Sequence, residues 1–141
     1  MEVVVFGCGY VGLVTGTVLA ELGHHVTMVE IDPEKVELVQ KGEPPIYEPG
    51  LSPLLKRVRQ AGLLEATRQS QEPVYRADVV FIAVGTPLAA NGDADLTALR
   101  QTALTIGRGL NPEKKTGDCH QVNRTDWLRQ SDRGVDRRRL S

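Results

Sequence analysis

A short apolar strand followed at once by a glycine-rich turn most constrains how this chain folds. Val3–Phe6 is a continuous and mostly β-branched apolar run, which is typical of a strand buried on both faces of a parallel sheet. The turn Gly7-Cys8-Gly9-Tyr10-Val11-Gly12 follows without a gap, and apolar residues then recur at helical spacing as far as Leu22. A strand, this turn and a helix in that order predict the first unit of a doubly wound α/β fold.

The remainder of residues 1–116 continues this alternation of strands and helices. Asp32 as N-cap and Pro33 at the first helical position predict the start of the second helix. The predicted strands are Val26–Ile31, Leu64–Thr67 and Asp78–Val84, and the predicted helices are Asp32–Gly42, Ser52–Ala61 and Leu96–Gly109, the last with Leu104 on its apolar face. Strands joined by helices at this spacing require right-handed crossovers. The predicted fold class is therefore α/β, a Rossmann-like doubly wound parallel sheet.

The three glycines of the first turn predict a dinucleotide site. Gly7 permits a tight turn, Gly9 lets the backbone approach a pyrophosphate, and Gly12 lets the helix pack closely on the sheet. The pyrophosphate then lies on the unpaired N–H groups of the helix N-terminus. Glu30 ends the second strand, where a carboxylate accepts hydrogen bonds from ribose hydroxyls and repels a 2′-phosphate. This pattern predicts NAD rather than NADP, and the alternative for Glu30 is a solvated acid at a strand end.

Two further polar residues lie where such a site would extend. Lys35, one helical turn beyond Glu30, either neutralises a phosphate or remains solvated. Thr86 lies in the turn after the fourth strand, at the sheet edge where cofactors bind in this fold. It offers a hydroxyl and a backbone N–H to the cofactor, and the alternative is a plain strand-ending turn.

Charge and cysteine content argue against other classes of protein. The net charge of −1 leaves no basic surplus for nucleic acid, and no stretch is apolar for long enough to cross a membrane. The N-terminus lacks the basic region of a signal peptide, so we expect a cytoplasmic protein. Two cysteines give no disulfide framework and no metal-ligand spacing, and Cys8 is expected to fill the turn as a small residue. We therefore predict no metal, no nucleic-acid partner and no membrane partner.

Three segments of this chain together resemble the N-terminal NAD-binding domain of the UDP-glucose 6-dehydrogenases. These segments are Gly7–Leu13, Tyr47–Leu51 and Val84–Pro87, the last with Gly92 and Asp95-Leu96 beyond it. The resemblance implies oxidation of the sugar C6 alcohol of a nucleotide-sugar substrate, UDP-glucose, to UDP-glucuronate with two NAD, through a thiohemiacetal on a cysteine. It also implies NAD contacts at Tyr10, Val11, Glu30, Lys35 and Thr86. GDP-mannose 6-dehydrogenases share much of these motifs, so that substrate stays open, as does a non-catalytic NAD-binding module.

The resemblance ends at residue 116, where the composition of the chain changes. Residues 1–116 hold eleven basic and fourteen acidic residues, for a net charge of −3, whereas residues 117–141 have a net charge of +2 and half of the arginines. Codons for Gly117–Trp127, read after dropping one base, admit Val-Ile-Val-Ile-Lys-Ser-Thr-Val-Pro-Ile-Gly. Family members have a buried strand and a Lys-Ser-Thr-Val-Pro-x-Gly loop at this place. We therefore expect residues 117–141 to be an out-of-frame, disordered tail, and the alternative is a natural tail that is rich in arginine.

This change of frame limits what we expect of the chain. Residues 1–116 would be the N-terminal part of the NAD-binding domain, with a sheet incomplete after the fourth strand region. The family's catalytic cysteine, its sugar-binding domain and its regions of homo-oligomerisation would lie beyond residue 141. Cys119 belongs to the tail, so no catalytic residue is predicted here. Because the edge of Asp78–Val84 would be unpaired, we expect weak or no NAD binding and no turnover.

Overall fold

Parallel strands form one sheet in the part of the chain that the computed structural model describes, residues 1–114 and the backbone of residues 120–121. The strands are β1 (Glu2–Phe6), β2 (His25–Val29), β3 (Leu64–Thr67), β4 (Val79–Ile82) and β5 (His120–Gln121). The helices are α1 (Tyr10–Glu21), α2 (Pro33–Gln40), α3 (Leu51–Gln60), α4 (Gln71–Arg76) and α5 (Thr97–Gly109). The strand order is β3-β2-β1-β4-β5. This order and the helical connections confirm the predicted doubly wound α/β fold.

Strand β1 lies inside the sheet because its residues are apolar on both faces. It pairs in parallel with β2 from Glu2↔His25 to Phe6↔Val29, and with β4 from Val3↔Val79 to Phe6↔Ile82. Val3 and Val5 pack with α1, α2 and α3 on one face, whereas Val4 and Phe6 pack with α4 and α5 on the other. A strand with helices on both sides cannot alternate apolar and polar residues, which explains the continuous apolar run.

The sequence predicted most element boundaries to within a few residues. Asp32 Oδ1 accepts a hydrogen bond from Glu34 N at 3.0 Å, and Pro33 is the first residue of α2, so the predicted cap is confirmed. The third strand, Leu64–Thr67, also has its predicted bounds. Helix α4 was not predicted. The placement of Leu104 on the apolar face of α5 is wrong, because 61% of its surface is exposed while Leu99 and Ile106 are buried.

The outer edge of β4 differs from the sequence-based expectation. The expected unpaired edge instead pairs at Phe81↔His120 and Ile82↔Gln121, in parallel. β1 to β4 each span four or five residues, whereas β5 spans only two. Residues 115–119 and 122–141, on which the predicted disordered tail falls, lie outside the described residues.

Asp78 joins the amino end of the sheet to the chain that follows α5. Its Oδ2 accepts a hydrogen bond from Glu2 N at 2.7 Å, and its Oδ1 lies 2.8 Å from Lys114 Nζ. The Lys114 ammonium, followed by the Glu2 N–H, lowers the pKa of the Asp78 carboxyl. This contact fixes where the chain leaves α5.

The helices of the described ranges are short. α5 spans 13 residues, and none of the helices in residues 1–114 is both long and apolar enough to cross a bilayer.

Candidate functional site

A cavity of about 650 Å³ opens at the edge of the sheet where the carboxyl ends of β1, β2 and β4 meet. Strands β2 and β4 lie on opposite sides of β1, so the winding of the chain reverses between β1 and β4. Doubly wound sheets bind their ligands in the crevice at such a reversal. The strand ends, the first turn and the start of α2 contribute Gly7, Gly9, Tyr10, Val11, Glu30, Ile31, Lys35, Arg68 and Gly85 to the lining.

Each glycine of the first turn has a different geometric role. Gly7 has a φ of +100°, and a Cβ there would lie 2.5 Å from the carbonyl oxygen of Ala83. A Cβ at Gly12 would overlap the carbonyl oxygen of Gly7 and lie 3.1 Å from the Cβ of Ala83. A Cβ at Gly9 would meet no described atom within 4 Å, although Gly9 lines the cavity. Gly7 and Gly12 therefore serve the packing of α1 on the sheet, whereas Gly9 keeps open the space beside the cavity.

The N-terminus of α1 lies at this cavity and suits an anion. An α-helix leaves the N–H groups of its first turn without intrahelical acceptors. Gly9 is the N-cap and forms no side-chain capping bond, and the first turn of α1 holds no acidic residue. No side chain of the helix therefore competes with a bound anion for these N–H groups, and the helix dipole favours negative charge there.

Glu30 holds the glycine-rich turn against the end of β2. Its Oε2 accepts a hydrogen bond from Cys8 N at 2.8 Å, and its Oε1 accepts one from Asp32 N at 3.1 Å. Its own N–H donates to the carbonyl oxygen of Thr67 at 3.0 Å, which ties it to β3. The carboxylate is thus fixed at the cavity wall and still has lone pairs for further donors. The contact of this carboxylate with ribose hydroxyls stays a prediction.

The Cys8 thiol is buried beneath the glycine-rich turn. Burial, and after it the Glu30 carboxylate, raises the pKa of the Cys8 thiol to about 12, while Lys35 partly opposes both. Cys8 therefore remains a neutral thiol, as expected for a small residue that fills the turn. Lys35 lines the cavity, and its contact with a phosphate stays a prediction.

Tyr10 and Val11 line the cavity from the first turn of α1 and are 55% and 39% exposed. The hydroxyl of Tyr10 donates to the carbonyl oxygen of Tyr47 at 3.1 Å. This bond places the segment Tyr47–Leu51 beside the N-terminus of α1. Leu51 is buried and begins α3, so packing accounts for the end of that segment.

The structure brings two predicted residues near the cavity without placing them on its wall. Gly12 lies beneath the turn, in contact with Gly7, which matches its predicted role in packing. Thr86 is half-buried and follows Gly85, which does line the cavity. A cofactor contact at Thr86 stays a prediction.

Sequence reasoning missed part of the lining. Arg68 and Ser70 follow β3, and Ile31 follows Glu30. One side of α5 adds Gln101, Thr102 and Thr105. Arg68 could have been predicted from the sequence. Thr86 was chosen because it is a polar residue just after a predicted parallel strand, and the same rule selects Arg68. The residues of α5 carried no such signal, since their approach to the cavity depends on how the helix packs.

Together these features define a dinucleotide-binding domain of the Rossmann type. The cavity lies at the carboxyl edge of the sheet, next to the N-terminus of α1 and to a carboxylate that ends β2, and these are the features with which doubly wound folds form a dinucleotide site. No cluster of three metal-ligating side chains occurs within residues 1–114.

The chain belongs to the UDP-glucose/GDP-mannose dehydrogenase family. The profile of the NAD-binding domain of that family matches residues 1–116, so the cofactor of this domain is NAD. The match ends where the sequence analysis placed the change in composition.

Several characterised relatives share this domain. The chain is 46% identical over 110 residues to a UDP-glucose 6-dehydrogenase of Pseudomonas aeruginosa, covering 78% of this chain and 24% of that protein. It is 42% identical over 115 residues to the GDP-mannose 6-dehydrogenase of the same organism, covering 82% and 26%. The structure of a Pseudomonas aeruginosa GDP-mannose dehydrogenase superposes with a TM-score of 0.77 at 38% identity, over 86% of this chain and 27% of that one. The chain therefore spans about a quarter of the length of these relatives.

Proposed function

We propose that residues 1–116 bind NAD in the cavity at the carboxyl end of the sheet, as the cofactor half of an NAD-dependent nucleotide-sugar 6-dehydrogenase. The observation that carries this proposal is the pairing of the open Gly9 position with a carboxylate, Glu30, that is hydrogen-bonded to the same turn. A pyrophosphate and a ribose are adjacent parts of NAD, and the two features are adjacent parts of the wall.

Each predicted residue has a proposed part in holding the cofactor. Backbone N–H groups at Tyr10 and Val11 meet the pyrophosphate where Gly9 leaves room for it. Lys35 offsets the phosphate charge, and Thr86 contributes from the turn after β4. NAD, when bound, supplies the acceptor of the hydride that leaves the sugar C6 carbon. The residues of this domain bind and orient the cofactor.

Glu30 is proposed to select NAD over NADP. Its carboxylate is held by two backbone N–H groups at 2.8 and 3.1 Å, so it has little freedom to turn away from a ligand. A 2′-phosphate beside this fixed negative charge would be repelled, while a 2′-hydroxyl can donate a hydrogen bond to it. NADH is therefore expected to bind more tightly than NADPH.

UDP-glucose is the substrate that we propose for the whole enzyme. The two UDP-glucose 6-dehydrogenases of Pseudomonas aeruginosa and Bacillus subtilis at 46% and 43% identity support this choice. GDP-mannose is the second candidate, since a GDP-mannose 6-dehydrogenase of Pseudomonas aeruginosa is 42% identical and the structure of a GDP-mannose dehydrogenase from that organism has the same fold.

The 141-residue polypeptide by itself is proposed to bind NAD without turnover. The family reaction, as the sequence resemblance implies it, needs a cysteine thiolate. Cys8 is the free cysteine among the described residues, and it is buried with its pKa raised to about 12. A thiol of that kind cannot act as the nucleophile near neutral pH.

We propose further that residues 117–141 are an out-of-frame reading of the family's next strand and loop. The shifted codons admit Val-Ile-Val-Ile over residues 117–120, a run typical of a buried strand, and then the residues of the family's loop. Resequencing the source DNA across codons 110–125 tests the proposal. Read one base out of the printed frame, the codons should encode Val-Ile-Val-Ile and then Lys-Ser-Thr-Val-Pro, and codons that do not encode this strand and loop would refute it.

The function is tested with the purified 141-residue protein. NADH titrated against it should give saturable fluorescence enhancement with one site per chain, and NADPH should bind more weakly. UDP-glucose and NAD together should give no NADH. If the frame is restored at codon 117 and the gene extended, UDP-glucose should support NADH formation and GDP-mannose should not. Absence of NADH binding would refute the cofactor site, while turnover with GDP-mannose alone would refute only the substrate.

A further inference from the structure

Strand β3 lies at one edge of the sheet in the described part of the chain, with β2 as its neighbour on one side only. An edge strand presents backbone groups with which a strand of another molecule can pair. Successive residues of a strand direct these groups to opposite sides. The carbonyl oxygens of Leu63 and Thr67 accept hydrogen bonds from the β2 side at 2.8 and 3.0 Å. The carbonyls of Leu64 and Ala66 therefore point away from the sheet.

Side chains from two helix ends occupy both of these outward carbonyls. Gln40 Nε2 donates a hydrogen bond to the carbonyl oxygen of Ala66 at 2.8 Å, and Arg59 Nη1 donates one to the carbonyl oxygen of Leu64. Gln40 is the last residue of α2, and Arg59 lies one residue before the end of α3. A strand that approached this edge would have to displace both side chains before it could pair with β3.

The guanidinium of Arg59 is held in place by two further hydrogen bonds. Its Nε and Nη2 donate to the backbone carbonyl oxygen of Gln40 at 3.1 and 2.9 Å. The last carbonyls of a helix have no intrahelical partner, so this bidentate contact also satisfies the end of α2. Within the described ranges Arg59 has no carboxylate partner, whereas Arg57 of the same helix pairs with Glu21 at 2.6 Å. The guanidinium of Arg59 is thus directed at backbone carbonyls alone.

We propose that Gln40 and Arg59 form an edge cap, which prevents β3 from pairing with the same strand of a second copy of this chain. The strand itself, Leu64-Glu65-Ala66-Thr67, contains no proline and no lysine, the residues that commonly protect an edge. Two copies related by a two-fold axis could pair their β3 edges, because each would present the same groups to the other. The edge cap closes this side of the sheet without changing the strand. The inference does not depend on NAD binding.

Removal of the edge cap from the 141-residue protein tests the inference. Gln40→Ala removes the donor to the Ala66 carbonyl and keeps a good helix former at the end of α2. Combined with Arg59→Ala, it also removes the donor to the Leu64 carbonyl. Each freed carbonyl can accept one hydrogen bond from a second copy, so self-association should strengthen about five-fold in Gln40→Ala and about thirty-fold in the double variant. Sedimentation equilibrium measures the association constants.

Arg57→Ala is the matched control. It removes the same charge from the same helix, but its guanidinium contacts Glu21 and not β3. This variant should self-associate as the wild type does. An increase in Arg57→Ala equal to that of the double variant would overturn the inference, because the loss of a positive charge would then account for the association.

Hydrogen exchange shows where the copies meet. The outward amides of Leu64 and Ala66 should exchange more slowly as the concentration of the double variant rises, and those of the wild type should not change. Association constants within two-fold of the wild type, or stronger association without slower exchange at these two amides, would overturn the inference. If thermal unfolding shows that the Arg59→Ala variants do not fold, Gln40→Ala decides the question by the same two measurements.

Discussion

Replacing Gly9 and Gly12 one at a time separates binding from folding within a single turn. Gly9 has φ −77° and ψ −171°, an extended conformation that alanine adopts freely, and its new methyl group would meet no described atom within 4 Å. Gly12→Ala would instead place a methyl group on the carbonyl oxygen of Gly7 and 3.1 Å from the Ala83 Cβ. The first change therefore affects the cavity, and the second affects the packing of α1.

The magnitudes follow from these two environments. Gly9→Ala should change the free energy of unfolding by less than about 1 kcal/mol, since the restriction of the unfolded chain by alanine is offset by its poorer fit at the N-cap of α1. Its methyl group would push a phosphate away from the helix N–H groups and lose charge-assisted hydrogen bonds of about 1.5–3 kcal/mol, or roughly ten- to 150-fold in NADH affinity. Gly12→Ala should lower the free energy of unfolding by about 1–3 kcal/mol through overpacking, and the higher helix propensity of alanine should partly offset this loss.

Thermal unfolding and NADH titration of the same three proteins measure both effects. Gly9→Ala should keep its Tm within a few degrees of the wild type and bind NADH roughly ten- to 150-fold more weakly. Gly12→Ala should lower Tm by roughly 3–10 °C for a domain of this size. The reasoning fails if Gly9→Ala binds NADH within two-fold of the wild type, because the open position would then not face the pyrophosphate.

Four further substitutions test the electrostatics of the domain. Glu30→Gln should narrow the preference for NADH over NADPH, because it removes the negative charge. It should also lower Tm, since its amide would face the Cys8 N–H. An unchanged ratio of NADH to NADPH affinity in paired titrations would count against the proposed contact of Glu30 with the ribose. The pKa of Asp78 is lowered in the folded state, so its contribution to stability is present above its unfolded pKa of about 3.9 and is lost as pH falls through the folded value. Urea midpoints should therefore drop less between pH 7 and pH 3 in Asp78→Asn, and Lys114→Met should resemble that variant. In Cys119→Ser, Cys8 should resist a thiol reagent at pH 8 until urea unfolds the protein; rapid labelling of the native protein would show that it is neither buried nor protonated.

The sequence predicted those parts of the fold and site that depend on local chemistry. A continuous apolar run must be buried on both faces, which located β1 inside the sheet. The backbone requires glycine at two positions of the turn, because Gly7 has a φ of +100° and Gly12 contacts Gly7. The glycines alone therefore predicted the turn. Asp32 and Pro33 gave the start of α2 for the same reason.

What the sequence did not predict depends on contacts between distant residues. Helix α4 spans six residues and buries only Val74. Its sequence therefore has no apolar period that would predict a helix. Leu104 fits the helical period of α5 but faces outward, because the packing angle of the helix decides which residues meet the sheet. Arg68 lines the cavity only because β3 pairs with β2, and the sequences of these two strands do not by themselves predict that they are neighbours.

The central claim is that NAD binds at the carboxyl end of β1, between the glycine-rich turn and Glu30. The most direct measurement is a titration of the 15N-labelled protein with NAD, followed through its backbone amide resonances. The account predicts saturable shifts concentrated at Gly9, Tyr10, Val11 and Glu30, with smaller shifts at Arg68. Shifts confined to other elements, or no shifts at millimolar NAD, would contradict it.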